Sequence, residues 1–227
     1  MSRQPLLYVR PQAKYRFAAN ALAERPQLAA LVGECIACWS QVEAHITVLL
    51  SAIMKAETAI TAAVFLSIRN SRAQREALTA AAEIGLSGRE LEMFRAIAIV
   101  YQSLDNQRAD LAHGIFAVSD DLPEAILWIG SKDFAKHNLD FWTELMSREN
   151  PLAPLQASET VRAALFAYRK DDLVQLRDEI KELWQAVFFF MHYLRVPQKL
   201  ERNEQQFQHL YTLPQIQRAL ARLREGS

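Results

Sequence analysis

The chain has 227 residues, with 26 Lys and Arg against 26 Asp and Glu. A formal charge of zero excludes a whole-protein field able to hold nucleic acid through many phosphate contacts, but leaves room for a small basic site. Apolar residues make up 51% and charged residues 23%, the balance of an ordinary globular protein with one sizeable core, and only 6 glycines among many Ala, Leu, Glu, Gln and Arg favour helix.

Residues 1–25 read as an N-terminal arm, in which Pro11 and several polar residues argue for a segment lying on the body. The segment lacks the apolar centre of a signal peptide. The longest apolar runs, Val48 to Met54 and Ala186 to Met191, fall short of the roughly 18 residues a membrane span needs. With 2 cysteines, the expected setting is the cytoplasm, with no membrane partner.

Pro26 suits the first turn of a helix, where its missing N–H costs nothing. Leu28, Leu31, Cys35, Val42, Ile46, Leu49 and Ile53 then recur at three- and four-residue steps and predict one long helix over about 26–56. A second helical region, 58–85, is interrupted around Arg69-Asn70-Ser71. Ser87 and Glu90 form a capping-box pair that opens a third helix with the stripe Leu91, Phe94, Ile97, Tyr101 and Leu104, and Gly114 is its natural stop. The period then changes. Ile115 to Val118 and Ala125 to Ile129 flank the turn Ser119-Asp120-Asp121-Leu122-Pro123 and predict a β-hairpin. Residues 131–160, with Asn150-Pro151 and Pro154, read as an excursion with one short helix near Phe141.

A last long helix opens near Asp171 and ends before Pro197, on the stripe Leu173, Leu176, Ile180, Leu183, Val187, Met191 and Leu194. Phe188, Phe189 and Phe190 widen its apolar face, as a central helix or a dimer interface requires. The organisation is thus an arm (1–25), a helical domain (26–196) with a hairpin and loop insertion at about 115–168, and a helical tail (197–227), in which Thr212-Leu213-Pro214 opens a short helix.

One constellation interrupts this pattern. The third helix needs an apolar residue between Leu104 and Leu111, and the sequence places Arg108 there. A buried guanidinium must be paired or open into a cleft or interface, because an uncompensated buried charge costs several kcal/mol. Asn106, Asp110 and His113 fall on a neighbouring face, and His113 lies in the last turn, where the negative helix end favours an imidazolium. A structural reading competes: an arginine snorkelling to a carboxylate, and a histidine capping the helix.

The segment Asn106-Gln107-Arg108-Ala109-Asp110-Leu111-Ala112-His113-Gly114 resembles the Arg-x4–6-His motif of the HEPN superfamily. The setting is similar too: a long first helix carrying Trp39-Ser40-Gln41-Val42-Glu43, a broken second helix, the motif ending the third, and an amphipathic fourth. The family usually places a polar residue after the arginine, where this chain has Ala109 and its nearest carboxylate at Asp110.

The resemblance implies a mainly α fold, a four-long-helix HEPN-like bundle with a small β-hairpin insertion and a helical C-terminal tail. It implies a function on RNA, either as a metal-independent endoribonuclease using Arg108 and His113 in a dimer groove, or as a non-catalytic module that binds RNA or nucleotide, dimerises or docks a partner. Arg108 and His113 are the implied catalytic pair, with Asn106, Asp110 and Glu43 in support. The implied partners are RNA or a nucleotide, a second copy of the chain and a cognate protein, with no cofactor and no metal.

Other motifs carry less. Cys35-Ile36-Ala37-Cys38 has metal or redox spacing but lies inside a helix without a second pair, as buried core cysteines do. His45 and His192 fall on or near apolar faces. Arg69, Arg72 and Arg75 lie at three-residue steps, as a phosphate-contacting patch or a solvated face. The sequence has no phosphate-cradling glycine loop, no His-Glu-x-x-His and no nucleophile elbow.

Overall fold

A computed structural model describes residues 3–147, 159–196 and 201–225. In chain order its elements are β1 (Gln4–Pro5), α1 (Leu6–Val9), β2 (Arg16–Phe17), α2 (Pro26–Met54), α3 (Thr58–Ser67), α4 (Ser71–Gly85), α5 (Gly88–His113), β3 (Ile115–Val118), β4 (Ala125–Ile129), α6 (Ser131–Ser147), α7 (Glu159–Ala164), β5 (Phe166–Arg169), α8 (Lys170–Arg195), α9 (Glu201–Leu210) and α10 (Pro214–Glu225). The described residues are mainly helical, with one small antiparallel sheet. The chain forms two compact units, Met1–Ile36 with Gln107–Arg177, and Ala37–Asn106 with Asp178–Ser227. Helices α2, α5 and α8 each contribute to both.

The second unit is helical. Its apolar stripes meet through Trp39 on α2, stacked on Tyr101 of α5 with ring centroids 5.0 Å apart, and through Tyr193 of α8, packed on Phe207 of α9 at 4.3 Å. Polar groups close the ends of elements. The Asn70 side chain caps α4 by accepting from the backbone N–H groups of Arg72 and Ala73, which is why the second helical region breaks there. Arg195 donates to the hydroxyls of Ser51 and Thr58, tying the end of α8 to the α2–α3 turn. Gln215 bonds the Glu179 carbonyl of α8 and so seats α10.

On α5 the Arg89 guanidinium donates to both carboxylate oxygens of Glu204 at 2.7 Å and holds that carboxyl down at about 2. A carboxyl depressed in the folded state stabilises above its unfolded value and loses that contribution as pH falls. NMR titration should therefore show Glu204 ionised until pH approaches about 2, and Arg89→Met should return it to the ordinary glutamate range. An unshifted wild-type titration would contradict the pair.

The first unit holds the sheet, in the order β1-β5-β4-β3-β2. The predicted hairpin is present as β3 and β4, but the sheet takes more of the chain than a hairpin insertion: the N-terminal segment supplies both edge strands, β1 and β2, and β5 fills the remaining place. Strands of two to four residues show no period-2 pattern, so periodicity does not reveal them. All five residues of β4 are buried because both faces are covered. Ala125, Leu127 and Ile129 join a core with Leu6, Ala117, Val161, Leu165 and Ala167, while Ile126 and Trp128 point to the other face. Helix α6 runs 17 residues where a short helix was expected, and α9 adds a helix to the tail; Asn150-Pro151 and Pro154 lie outside the described residues.

Helix α2 is long and apolar enough to cross a membrane by length and composition, with mean hydropathy 1.3 over its most apolar window, yet half of that window is buried inside the protein. No uninterrupted apolar run reaches such a length; the helix joins several.

Candidate functional site at the end of α5

The motif segment occupies the last turns of α5. The Gly114 N–H donates to the Asp110 carbonyl at 2.9 Å, the regular i→i−4 pattern, so the helix stays α-helical to its last residue. Five residues at about 100° each place Arg108 and His113 about 140° apart around one helix. His113 is exposed at the negative helix end. Arg108 is half-buried between the buried Leu104 and Leu111 positions, its Nε is shut off from solvent, and its side chain is engaged by neighbouring groups.

Gly114 does not have the left-handed conformation expected of a helix stop; among the described glycines only Gly88 has positive φ. The Trp128 indole explains it. A Cβ on Gly114 would lie 1.6 Å from Trp128 Nε1 and 2.4 Å from Cδ1, so only a residue without a side chain lets β4 pass here. The indole N–H donates to the Asp110 carbonyl at 2.6 Å, which pins the end of α5 to the sheet.

Asp110 is half-buried and forms an ion pair with Arg3. Burial pushes its carboxyl up from the ordinary aspartate value, against the pull of the Arg3 charge and hydrogen bond. The Arg3 guanidinium also lies over the rings of Trp128 and Phe166, at 4.2 and 4.5 Å from their centroids, and its charge acts on the hydroxyl of Tyr168. Burial pushes Tyr168 up as well, with Arg3 opposing it. The structure thus brings Asp110 together with four groups absent from the motif: Arg3, Trp128, Phe166 and Tyr168. Only the five-residue apolar run of β4 marks any of them in the sequence, and it signals burial rather than function.

Arg108, Asp110 and His113 belong to the first unit. Asn106, exposed on α5, and Glu43, exposed on α2, belong to the second, where Glu43 accepts a hydrogen bond from the Trp39 indole at 2.9 Å. Arg72 pairs with Glu76 and Arg75 with Asp105, so two of the three arginines at three-residue steps already carry carboxylate partners. Cys35 is buried, with its Sγ 3.6 Å from the Leu173 carbonyl, and Cys38 is half-buried. His45 and His192 pack on the ring of Phe188. Among the described residues no group of three or more His, Cys, Asp or Glu is placed to hold a metal ion.

Comparison with protein-family models, with curated proteins and with solved structures finds no match to this chain.

Proposed function

We propose that the chain is a HEPN-like protein acting on RNA, a metal-independent endoribonuclease in which Arg108 binds the scissile phosphate and His113 moves the proton in the groove of a homodimer. The observation that supports this most is the solvent-exposed His113 closing a 26-residue helix that also carries the half-buried Arg108. The order of long helices supports it too: α2, the broken pair α3 and α4, α5 ending in the motif, and α8 follow the HEPN-like sequence of elements.

The chemistry needs no external group. A base removes the 2′-hydroxyl proton, the 2′-oxygen attacks phosphorus, and the bond to the 5′-oxygen breaks as an acid protonates it. Products are a 2′,3′-cyclic phosphate and a 5′-hydroxyl. The Arg108 guanidinium stabilises the charge on the non-bridging oxygens of the phosphorane. One His113 cannot serve as base and acid in the same step, and its wide angle from Arg108 on one helix keeps the two off a common face. Two copies facing across a groove supply both roles. Asp110 is not a proton carrier in this scheme, since its carboxylate is committed to Arg3.

The direct test incubates the purified full chain with a panel of RNAs in excess EDTA and examines the fragment ends. Cyclic phosphate ends are expected. Absence of cleavage across the panel would leave a binding or dimerisation module, a reading favoured by the half-buried aromatic strip of Trp184, Phe188 and Phe189; Phe190 is fully buried and takes no part in any such face.

A further inference from the structure

The first unit contains a binding geometry that RNA cleavage does not use. Trp128 and Phe166 are paired residues of β4 and β5, with ring centroids 6.1 Å apart and planes inclined at 58°. Inclined rings do not make a parallel-walled slot for a nucleobase, but each can present its face to a small planar cation. The Arg3 guanidinium occupies that place, over both rings and ion-paired with Asp110, with the Tyr168 hydroxyl within reach of its charge. Without Arg3 the slot would consist of two π faces, a carboxylate and a phenol. That set attracts a guanidinium and repels a phosphate.

The backbone of the segment filling the slot has little pairing, and its hold comes from the Arg3 side chain. β1 is a two-residue edge strand, paired with β5 at Gln4↔Ala167 and Pro5↔Phe166, and Pro5 has no N–H to donate. The firm anchor comes next: Leu6 is fully buried, and its N–H donates to the Leu165 carbonyl at 2.8 Å. Displacing residues 3–5 ahead of this anchor would uncover the β5 edge together with the slot and leave Leu6 in the core.

We infer that the β5 edge and the Trp128–Phe166–Asp110 slot form a recognition site for an extended, arginine-bearing peptide segment of a partner protein, which the chain's own Arg3, Gln4 and Pro5 occupy in cis. The partner segment adds as a strand beside β5, and its arginine takes the place of Arg3. A lysine is a poor substitute, because a point ammonium cannot lie flat between two rings while pairing with the carboxylate. The tethered arm competes at an effective concentration of order millimolar, so the site is closed to weak ligands while the arm is in place.

The test uses the full chain carrying Arg3→Ala, titrated with acetyl-Arg-Gln-Pro-Leu-Leu-amide and followed at the assigned Trp128 indole signal by NMR. The peptide should bind at least ~10-fold more tightly than its lysine counterpart and ~10-fold more tightly than it binds wild type, a tenfold step being about 1.4 kcal/mol. It should also return the indole signal toward its wild-type position. Equal binding of the arginine and lysine peptides, or an Arg3→Ala indole signal identical to that of wild type, would overturn the inference. So would single-stranded RNA shifting Trp128 where the arginine peptide does not. If Arg3→Ala loses its dispersed spectrum, Arg3→Lys keeps the charge and the same titration decides. None of these readouts depends on nuclease activity.

Discussion

Gly114→Ala is expected to destabilise the protein by about 3 kcal/mol, combining overpacking of about 1–3 kcal/mol with a lost hydrogen bond of about 1 kcal/mol. The new methyl would stand 1.6 Å from Trp128 Nε1, and the indole has nowhere to retreat: its N–H is bonded to the Asp110 carbonyl, its ring carries Arg3, and Phe166 lies across the strand pair. For a chain of this length each kcal/mol moves the midpoint by about 2–4 °C, so thermal unfolding should fall by about 6–12 °C.

The matched control has the opposite sign. Gly33 lies exposed inside α2, and a Cβ there meets nothing within 4 Å. Gly33→Ala should therefore stabilise by about 0.5–1 kcal/mol through helix propensity alone. If both variants unfold at or above the wild-type temperature, the close approach of Trp128 to the end of α5 is wrong.

His113→Ala is expected to lower RNA cleavage about 10³-fold, within the range lost when a proton-transfer group is removed. Because His113 is exposed at a helix end, the same change should leave stability within about 0.5 kcal/mol of wild type, which separates chemistry from folding. Arg108→Ala should lose about 10²–10³-fold in rate, and Arg108→Lys should recover little, since an ammonium cannot bond two phosphate oxygens in a fork. Arg108 is half-buried, so its variants need a melting curve beside the assay.

Dimer sharing has its own signature. If each groove draws acid and base from different copies, mixing wild type with an excess of His113→Ala suppresses activity beyond simple dilution, and wild-type rate follows a bell-shaped pH profile. A His113→Ala protein that cleaves as fast as wild type removes His113 from the mechanism.

The parts of the fold visible in the sequence are those whose signals are local. The stripes of α2, α5 and α8 repeat over seven or eight turns, the break at Asn70 is a capping side chain, and β3 and β4 flank a polar turn. The strands β1, β2 and β5 gave no such signal, because two to four residues cannot show a period and their pairing partners lie far away in the chain. Gly114 shows the difference within a single residue. Its position after the last apolar turn marks it as a helix end, and α5 does end there, but the requirement for glycine comes from a tryptophan on a different element.

The same division runs through the candidate site. Helical spacing alone determined that Arg108 would interrupt a buried stripe, that His113 would lie in the last turn, and that the two would diverge around the helix, because these follow from 3.6 residues per turn. Only the tertiary structure decided what Asp110 does. Its partner Arg3 stands 107 positions away, held there by the pairing of β1 with β5 and by the register that sets Trp128 opposite Phe166. Strand register is set by packing across the sheet rather than by neighbours along the chain, so a carboxylate that reads as part of a catalytic motif became the anchor of an aromatic-lined arginine slot.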